Sequence, residues 1–543
     1  MDESTLSLDV GLGPLDYVAI VVYLLITFGI ALWFGSKQHN VDDFFVGGRR
    51  MPWFAVGLSI LATLFSTLTY LGMPGETIKN GVGVFAGYLA VPFSMAVVTL
   101  LWIPFFMRLR LTSAYEYLEL RYNYATRLMG GSLFVLLRLG WMSMVIFAAS
   151  MALDRVKGPD WTWLPGDDLY WWICLVGVVA AIYTSVGGIQ AMIWTDVLQC
   201  ALLLTGVLLA IFYVVIVDRT GPMDWWTTAA NASGRNNAPP LFSLDLTVRV
   251  TIVTAMINNF FWTVCTHGSD QVVLQRYFSV SSLKNARRSY FINFIVDLTM
   301  ASLLSLCGLA LLAFYIKHPT WLPAGSDTAV KAADKLFPHF LGHQLPAGCA
   351  GLIISAFLCD AIQTLESGVN AITAVVTNDL VPRMRQGGKR WFSDLAVARG
   401  LTILITALVT ANAFFVANRV QALGETLVGM MPKFFNMFVG PLSAMFIIGM
   451  FIPRCTARSV IPAAICGLCT SIIWSWWREI FGTEAAPTFL LAIAVPCLTT
   501  ITLATLLSFI VETGKPHSGL DYTWRAILRR PPADMPPLEK TPA

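Results

Sequence analysis

The stretch Leu61-Ala62-Thr63-Leu64-Phe65-Ser66-Thr67-Leu68-Thr69-Tyr70, with Gly72 and Pro74-Gly75 just behind it, lies inside an apolar block spanning 53–79. A block of that length can cross a hydrocarbon core of ~30 Å as a helix. Hydroxyl and β-branched side chains weaken helical bonding, and a Pro-Gly pair interrupts it. At membrane depth such a break is tolerated where it lines a cavity, because freed carbonyls and half-helix ends can hold ions. A second stretch reads the same way: Thr263-Val264-Cys265-Thr266-His267-Gly268-Ser269-Asp270 is polar within the apolar block 247–278. Counting 53–79 as the first of ten, the interrupted helices are the first and the sixth. Two five-helix halves that each open on a broken helix are what an inverted repeat requires. A Ser/Thr-rich helix in a plain packed bundle is the alternative.

Composition places the whole chain in the same setting. Of 543 residues, 56% are hydrophobic and 13% charged, and the mean hydropathy is +0.67. Soluble domains carry roughly 25% charged residues, so this chain cannot cover a water-facing surface in the usual way. The apolar blocks are 15–35, 53–79, 82–106, 126–155, 169–188, 190–216, 247–278, 287–316, 346–378, 394–418, 422–453, 459–480 and 487–512. They predict an all-α polytopic membrane protein with about thirteen transmembrane helices.

Charge sets the orientation, since Lys and Arg concentrate in cytoplasmic loops. One set of alternate loops holds Lys37, Arg49 and Arg50, then Arg108, Arg110, Arg121 and Arg127, then Arg276, Lys284, Arg287 and Arg288. It continues with Arg383, Arg385, Lys389, Arg390, Arg454 and Arg458, and ends in a tail with Lys515, Arg525, Arg529 and Arg530. The N-terminus is therefore expected outside and the C-terminus in the cytoplasm. The expected organisation is 1–52 as an outer terminus, extra helix and loop, 53–216 as the first repeat, and 217–246 as an external loop. The second repeat spans 247–453, two further helices 454–512, and a flexible cytoplasmic tail 513–543. The loops 217–246 and 317–345 are rich in Trp, Pro and Gly and suit short lids. The polar start from Met1 to Pro14 shows no signal-peptide cleavage site. Cys466 and Cys469 form a CxxC on a hydrophobic helix with no second ligand pair, and are expected to be buried small residues rather than a zinc or redox site.

Several ordered stretches carry a family likeness. Asp42-Asp43-Phe44-Phe45-Val46-Gly47-Gly48-Arg49-Arg50-Met51-Pro52-Trp53 comes first, followed by Ser113-Ala114-Tyr115-Glu116-Tyr117-Leu118-Glu119. Tyr183-Thr184-Ser185-Val186-Gly187-Gly188 runs on to Trp194-Thr195-Asp196 and Gln199. Asp270-Gln271 with Gln275-Arg276-Tyr277, and Gly440-Pro441-Leu442 with Gly449-Met450-Phe451, complete the set. In this order the chain resembles the sodium/solute symporters, whose members carry sugars, proline, pantothenate, monocarboxylates and sialic acid. The resemblance implies the leucine-transporter (LeuT-like) 5+5 inverted-repeat core and coupling to one or two sodium ions, transported rather than kept as a fixed cofactor.

The resemblance also implies site residues. The family's sodium site between helices one and eight falls on the carbonyls of Ala62 and Phe65 and on the run Asp360 to Asn370. There Thr364 keeps a hydroxyl, Gln363 replaces a serine, and Asp360 stands at the carbonyl position. An amide oxygen ligates a hard cation as a hydroxyl does. The second sodium site of some members falls on Asp196, Glu366 and Ser367; the alternative is that Asp196 caps a helix or pairs with a base such as Arg276. Asp360 also offers a group that could titrate and couple protons.

The solute is expected near the midplane, against Ser66, Thr67 and Thr69 on helix one and Asn258, Asn259, Trp262 and Thr263 on helix six. Helix three adds Arg138, Trp141 and Ser143. An arginine inside a membrane helix pairs with an acid or binds an anion. The sialic acid carriers of the family use a helix-three arginine, whose place here falls on Trp141 rather than Arg138. Lys433 is a second possible anion partner and Asp297 a possible counter-ion; an Arg138–Asp297 structural pair is the alternative. Tyr70, Phe147 and Trp262 offer aromatic faces. The expectation is a sodium-driven symporter bringing a small organic solute inward by alternating access. An organic anion such as a monocarboxylate or sialic acid is slightly favoured over a sugar, and a proton-coupled transporter or solute sensor is the alternative. Its partners are the solute, sodium and the lipid bilayer of the plasma (inner) membrane, with no nucleic acid, and it is expected to act as a monomer. No selectivity filter, HExxH or GxSxG points to a channel or an enzyme.

Overall fold

A bilayer offers no water to backbone N–H and C=O groups, so a chain that enters it closes those bonds within helices or a barrel. The computed structural model takes the helical solution. It describes residues 13–36, 45–65, 67–109, 111, 113–156, 168–232, 240–323, 326–346, 348–379, 394–423, 433, 436–483, 485–512 and 518–529. The first elements are α1 (Pro14–Gly35), α2 (Trp53–Leu64), α3 (Thr67–Asn80), α4 (Gly83–Leu109), α5 (Glu116–Arg121) and α6 (Tyr124–Val156). Next come α7 (Asp168–Asp218), α8 (Pro222–Asn231), α9 (Ile252–Ser269), α10 (Gln271–Phe278), α11 (Leu283–Lys317) and α12 (Ala333–His343). The chain continues through α13 (Cys349–Asp379), α14 (Asp394–Leu423), α15 (Met437–Phe451), α16 (Ala457–Ser475) and α17 (Trp477–Phe481). It closes with α18 (Ala494–Val511) and α19 (Trp524–Arg529). Among the described residues, 8 helical stretches are long and apolar enough to cross a membrane.

The two breaks fall where the sequence is locally unfit for a helix. The first helix ends at Leu64, Phe65 turns away at φ −95° and ψ 89°, and α3 begins at Thr67. The sixth ends at Ser269, and Asp270 at φ −83° and ψ 116° caps the start of α10 with its side chain. The long α7 bends at Gly188 (φ 60°, ψ −177°), between the two blocks expected on either side of it. Only a residue without a Cβ takes that conformation at no steric cost.

Helix α11 lies backbone to backbone on both halves of the first broken helix. A Cβ on Gly57 of α2 would stand 2.5 Å from the Ser289 carbonyl oxygen, and one on Gly308 of α11 would stand 2.6 Å from the Pro74 carbonyl oxygen. Small residues permit this approach where lipid supplies no hydrophobic drive for helices to associate.

Two expectations are corrected. Part of the tail is ordered: α19 docks through the Trp524 indole, which donates to the Leu101 carbonyl at 3.1 Å, while Arg108 donates to the Ile527 carbonyl at 3.2 Å. Ile527 is fully buried, and that apolar anchor was hidden among the prolines and bases around it. Cys466 and Cys469 are exposed rather than buried. A face toward lipid is as apolar as a core, so hydrophobicity alone does not distinguish the two. The loop regions 217–246 and 317–345 carry α8 and α12, and α12 packs on α3 through Phe337 and Tyr70, whose rings are 5.4 Å apart.

Candidate functional site

The two breaks differ in what becomes of their carbonyls. In the last turns of α9 neighbouring side chains donate to three carbonyls, that of the terminal Ser269 among them. Trp102 donates to Val264 at 2.9 Å, Tyr115 to Ser269 at 3.0 Å, and Ser443 to Cys265 at 3.1 Å. The Gln271 side chain then accepts from the Ala114 amide at 2.7 Å. Asp270, at the break itself, accepts from the Val272 amide at 2.9 Å and is ion-paired with Arg138, both side chains buried. The Thr266 carbonyl accepts from the Asp270 amide at 3.1 Å, so side chains and backbone together cover part of this break. At the first break the Leu61 carbonyl accepts from the Phe65 amide at 2.8 Å, and Ala62 stands among the last carbonyls of α2, which have no further turn to bond.

Helix α13 lies beside this end. Gln363 and Thr364 are buried, and neither side chain has a hydrogen-bond partner among the described residues. Gln363 lines a small cavity with Tyr23, Thr27, Thr195 and Gln199, between α1, α7 and α13. Asp360 belongs to α13, but its side chain lies outside the described residues. Further along, Asp196, Glu366 and Ser367 gather around Arg276. The guanidinium stands 3.2 Å from Asp196, donates to Ser367 at 2.8 Å and to Ser59 at 2.7 Å, and Ser59 also donates to Asp196. Both oxygens of Glu366 and Oδ1 of Asp196 have no hydrogen-bond donor among the described residues. The pairing of Asp196 with Arg276, weighed as the alternative from sequence, is the observed one.

A cavity of about 210 Å³ opens beside both broken helices. Leu61, Leu64, Phe65 and Thr69 come from the first broken helix, and Asn259, Trp262, Thr263, Thr266 and His267 from the sixth. Tyr88, Val91 and Ser94 of α4 and Tyr290, Asn293, Phe294 and Asp297 of α11 close it. Thr69, Asn259, Trp262 and Thr263 are thus brought together as expected from sequence. Ser66, and the side chain of Thr67, lie outside the described residues.

Arg138 and Trp141 are not among the lining residues. Arg138 stacks on Trp141, 4.8 Å from its ring centre, and Trp141 in turn lies 6.3 Å from Trp262. Its acidic partner is Asp270, not Asp297. Lys433 is ion-paired with Glu479 and lies 4.9 Å from the centre of the Trp476 ring. Tyr70 donates to the Leu203 carbonyl at 2.9 Å and Phe147 is buried in the core, so Trp262 alone of the three aromatics reaches the cavity. Sequence reasoning missed Tyr88, Ser94, Tyr290 and Asn293, each a lone polar or aromatic residue on an apolar helix, and it had Thr266 and His267 in the second broken stretch without placing them at the solute.

Apolar helices long enough to span a membrane, with two broken helices beside a polar cavity, are the features of a secondary transporter. Comparison with known proteins places it further: the Sodium:solute symporter family matches residues 44–467, and the chain belongs to that family. It is 28% identical over 468 residues to the sodium/sialic acid symporter NanT of Aliivibrio fischeri, covering 85% of this chain and 88% of the relative. It is 31% identical over 479 residues to the human sodium-coupled monocarboxylate transporter 1, covering 87% of this chain and 74% of the relative. The fold is the LeuT-like one. It superposes with a TM-score of 0.78 on a Na+-coupled sialic acid symporter solved in a substrate-bound outward-open state, at 26% identity over 93% of this chain and 100% of that one.

Proposed function

We propose that the protein uses the sodium gradient to carry a small polar organic solute inward across the plasma membrane, by alternating access around the cavity between its broken helices. One observation carries this reading: Phe65 is both the residue at which the first helix breaks and a wall of the cavity. An ion held at that break and a solute held in that cavity therefore share a residue. Each then biases the other's binding, and such coupling is reciprocal by thermodynamic necessity.

In this reading sodium sits between the end of α2 and α13, on the carbonyls of Ala62 and Phe65 and the Thr364 hydroxyl, with Asp360 and Gln363 as further oxygen donors. Gln363 reaches it by turning away from the α1 side. A second ion at Asp196, Glu366 and Ser367 shares its shell with Arg276, which already supplies positive charge there. The solute contacts Thr69, Asn259, Trp262 and Thr263. The protein transports and does not catalyse, works as a monomer, and has its N-terminus outside.

Purified protein reconstituted into liposomes tests the reading. An inward sodium gradient should accumulate labelled solute above equilibrium, and collapsing that gradient should abolish the accumulation. Uptake that ignores sodium and follows a pH gradient would refute sodium coupling, and binding without flux would indicate a sensor.

A further inference from the structure

We infer that the transported solute carries a protonated amine, alone or beside a carboxylate, and that Asp297 is the residue that recognises it. This rests on the symport reading above and deepens it. Asp297 is the single formally charged side chain among the described residues lining the cavity. Tyr88 donates to one of its oxygens at 3.2 Å, and no basic side chain pairs with it among the described residues. An ionised carboxylate accepts at about four lone-pair positions, so most of its capacity faces the cavity.

The surrounding groups agree in sign. Asn259 lines the same cavity, and its buried amide oxygen has no donor among the described residues. Phe65, Trp262, Tyr290 and Phe294 bring aromatic rings to the same space, and ring faces attract a cation. His267, the other titratable ring there, is engaged at 2.7 Å by the Tyr277 hydroxyl. The bases that would receive a purely anionic solute are committed elsewhere: Arg138 to Asp270, Arg276 to Asp196, and Lys433 to Glu479. A neutral solute would leave a buried carboxylate facing it with no charge partner, whereas an ammonium group supplies donors and charge together.

The test uses the purified full-length protein and two series of probes, each on one carbon skeleton. They are glucosamine, glucose and glucuronate, and 3-aminopropanol, 1,3-propanediol and 3-hydroxypropanoate. Thermal stabilisation is measured for each in sodium and in potassium. The expected result is that an amine raises the melting temperature in sodium, and binds more tightly than its neutral and acidic counterparts. Asp297→Asn should weaken that amine about ten- to a hundred-fold, the range of a charge-assisted hydrogen bond. The same variant should keep the stabilisation produced by sodium alone, which also shows that it is folded, and Asp297→Glu should retain part of the amine binding. Tightest binding by a neutral or acidic probe, no binding by either amine, or unchanged amine affinity in Asp297→Asn overturns the inference. If sodium stabilises the protein while any of these holds, the inference fails alone. If sodium neither stabilises nor drives uptake, the symport reading falls with it.

Discussion

The guanidinium of Arg276 lies 3.2 Å from the carboxylate of Asp196, a pairing of two buried side chains set 80 positions apart. Through Ser59 and Ser367 the same guanidinium reaches α2 and α13, so four helices meet on one cation. Removing one member leaves the other charged and buried. Asp196→Ala or Arg276→Gln should each destabilise the protein by ~3–5 kcal/mol, a cost set by the orphaned charge rather than by the bond. The double variant Asp196→Ala with Arg276→Gln should recover part of the loss, read as melting temperature or chemical unfolding in detergent. Strictly additive losses would show that the two groups do not act as a pair.

Thr364 makes no hydrogen bond within the protein among the described residues, although its hydroxyl is buried. Thr364→Val keeps its shape and removes only that hydroxyl. Stability without sodium should therefore hold within ~1 kcal/mol or rise, since no protein bond is lost. The sodium concentration for half-maximal transport should rise about ten-fold, the value of one ligand bond to a charged group. An unaltered sodium dependence would remove Thr364 from the ion site.

Arg138 pairs with Asp270, and Asp270 also caps α10. Arg138→Ala should lower the melting temperature in the absence of any solute, at ~3–5 kcal/mol for a broken buried pair. In the protein that survives, solute KM should change little, because Arg138 is not a cavity wall. A large rise in KM with unchanged stability would return Arg138 to the solute site.

Arg249 grips Glu76 with two bonds of 2.5 and 2.9 Å, joining the end of α3 to the segment before α9. The pair is partly exposed, so Arg249→Ala should cost at most ~1 kcal/mol of stability. Helices α3 and α9 both wall the cavity, however, and the pair holds them together at one end. Solute exchange should accelerate about two- to five-fold in Arg249→Ala, the kinetic equivalent of ~0.5–1 kcal/mol. Slower exchange, or none, would show that the pair supports the transporting state.

The breaks were legible because their causes are local: hydroxyl and β-branched side chains weaken a helix wherever it is placed, whereas Gly72 and Pro74-Gly75, also read as breakers, lie inside the continuous α3. The bend at Gly188 was legible for the same reason. Partnership was not. Sequence offered Asp297 to Arg138, yet the partner is Asp270, 132 positions away, because the break turns that carboxylate toward α6. Periodicity says which residues share a face of a helix, but not which other helix that face meets. The polar walls from Thr69, Asn259, Trp262 and Thr263 were found as polar residues near a break. Those from α4 and α11 were missed, since Tyr88 and Asn293 sit far from any break and look like isolated exceptions on apolar helices. Asp297 was noticed but assigned as a counter-ion, its pairing with Tyr88 being visible only in three dimensions.

Gly57 and Gly308 fix both halves of the first broken helix to one unbroken helix, α11, with no side chain between the backbones. A rod splinted on either side of its fracture cannot hinge freely at the fracture. The cavity walls from Phe65 and Thr69, and those from Tyr290, Asn293 and Asp297, are therefore carried on a single rigid piece. Opening to either side of the membrane is then expected to move that piece as a unit. A bulky residue at Gly57 or Gly308 would pry the splint away and leave the solute's floor and wall moving out of step.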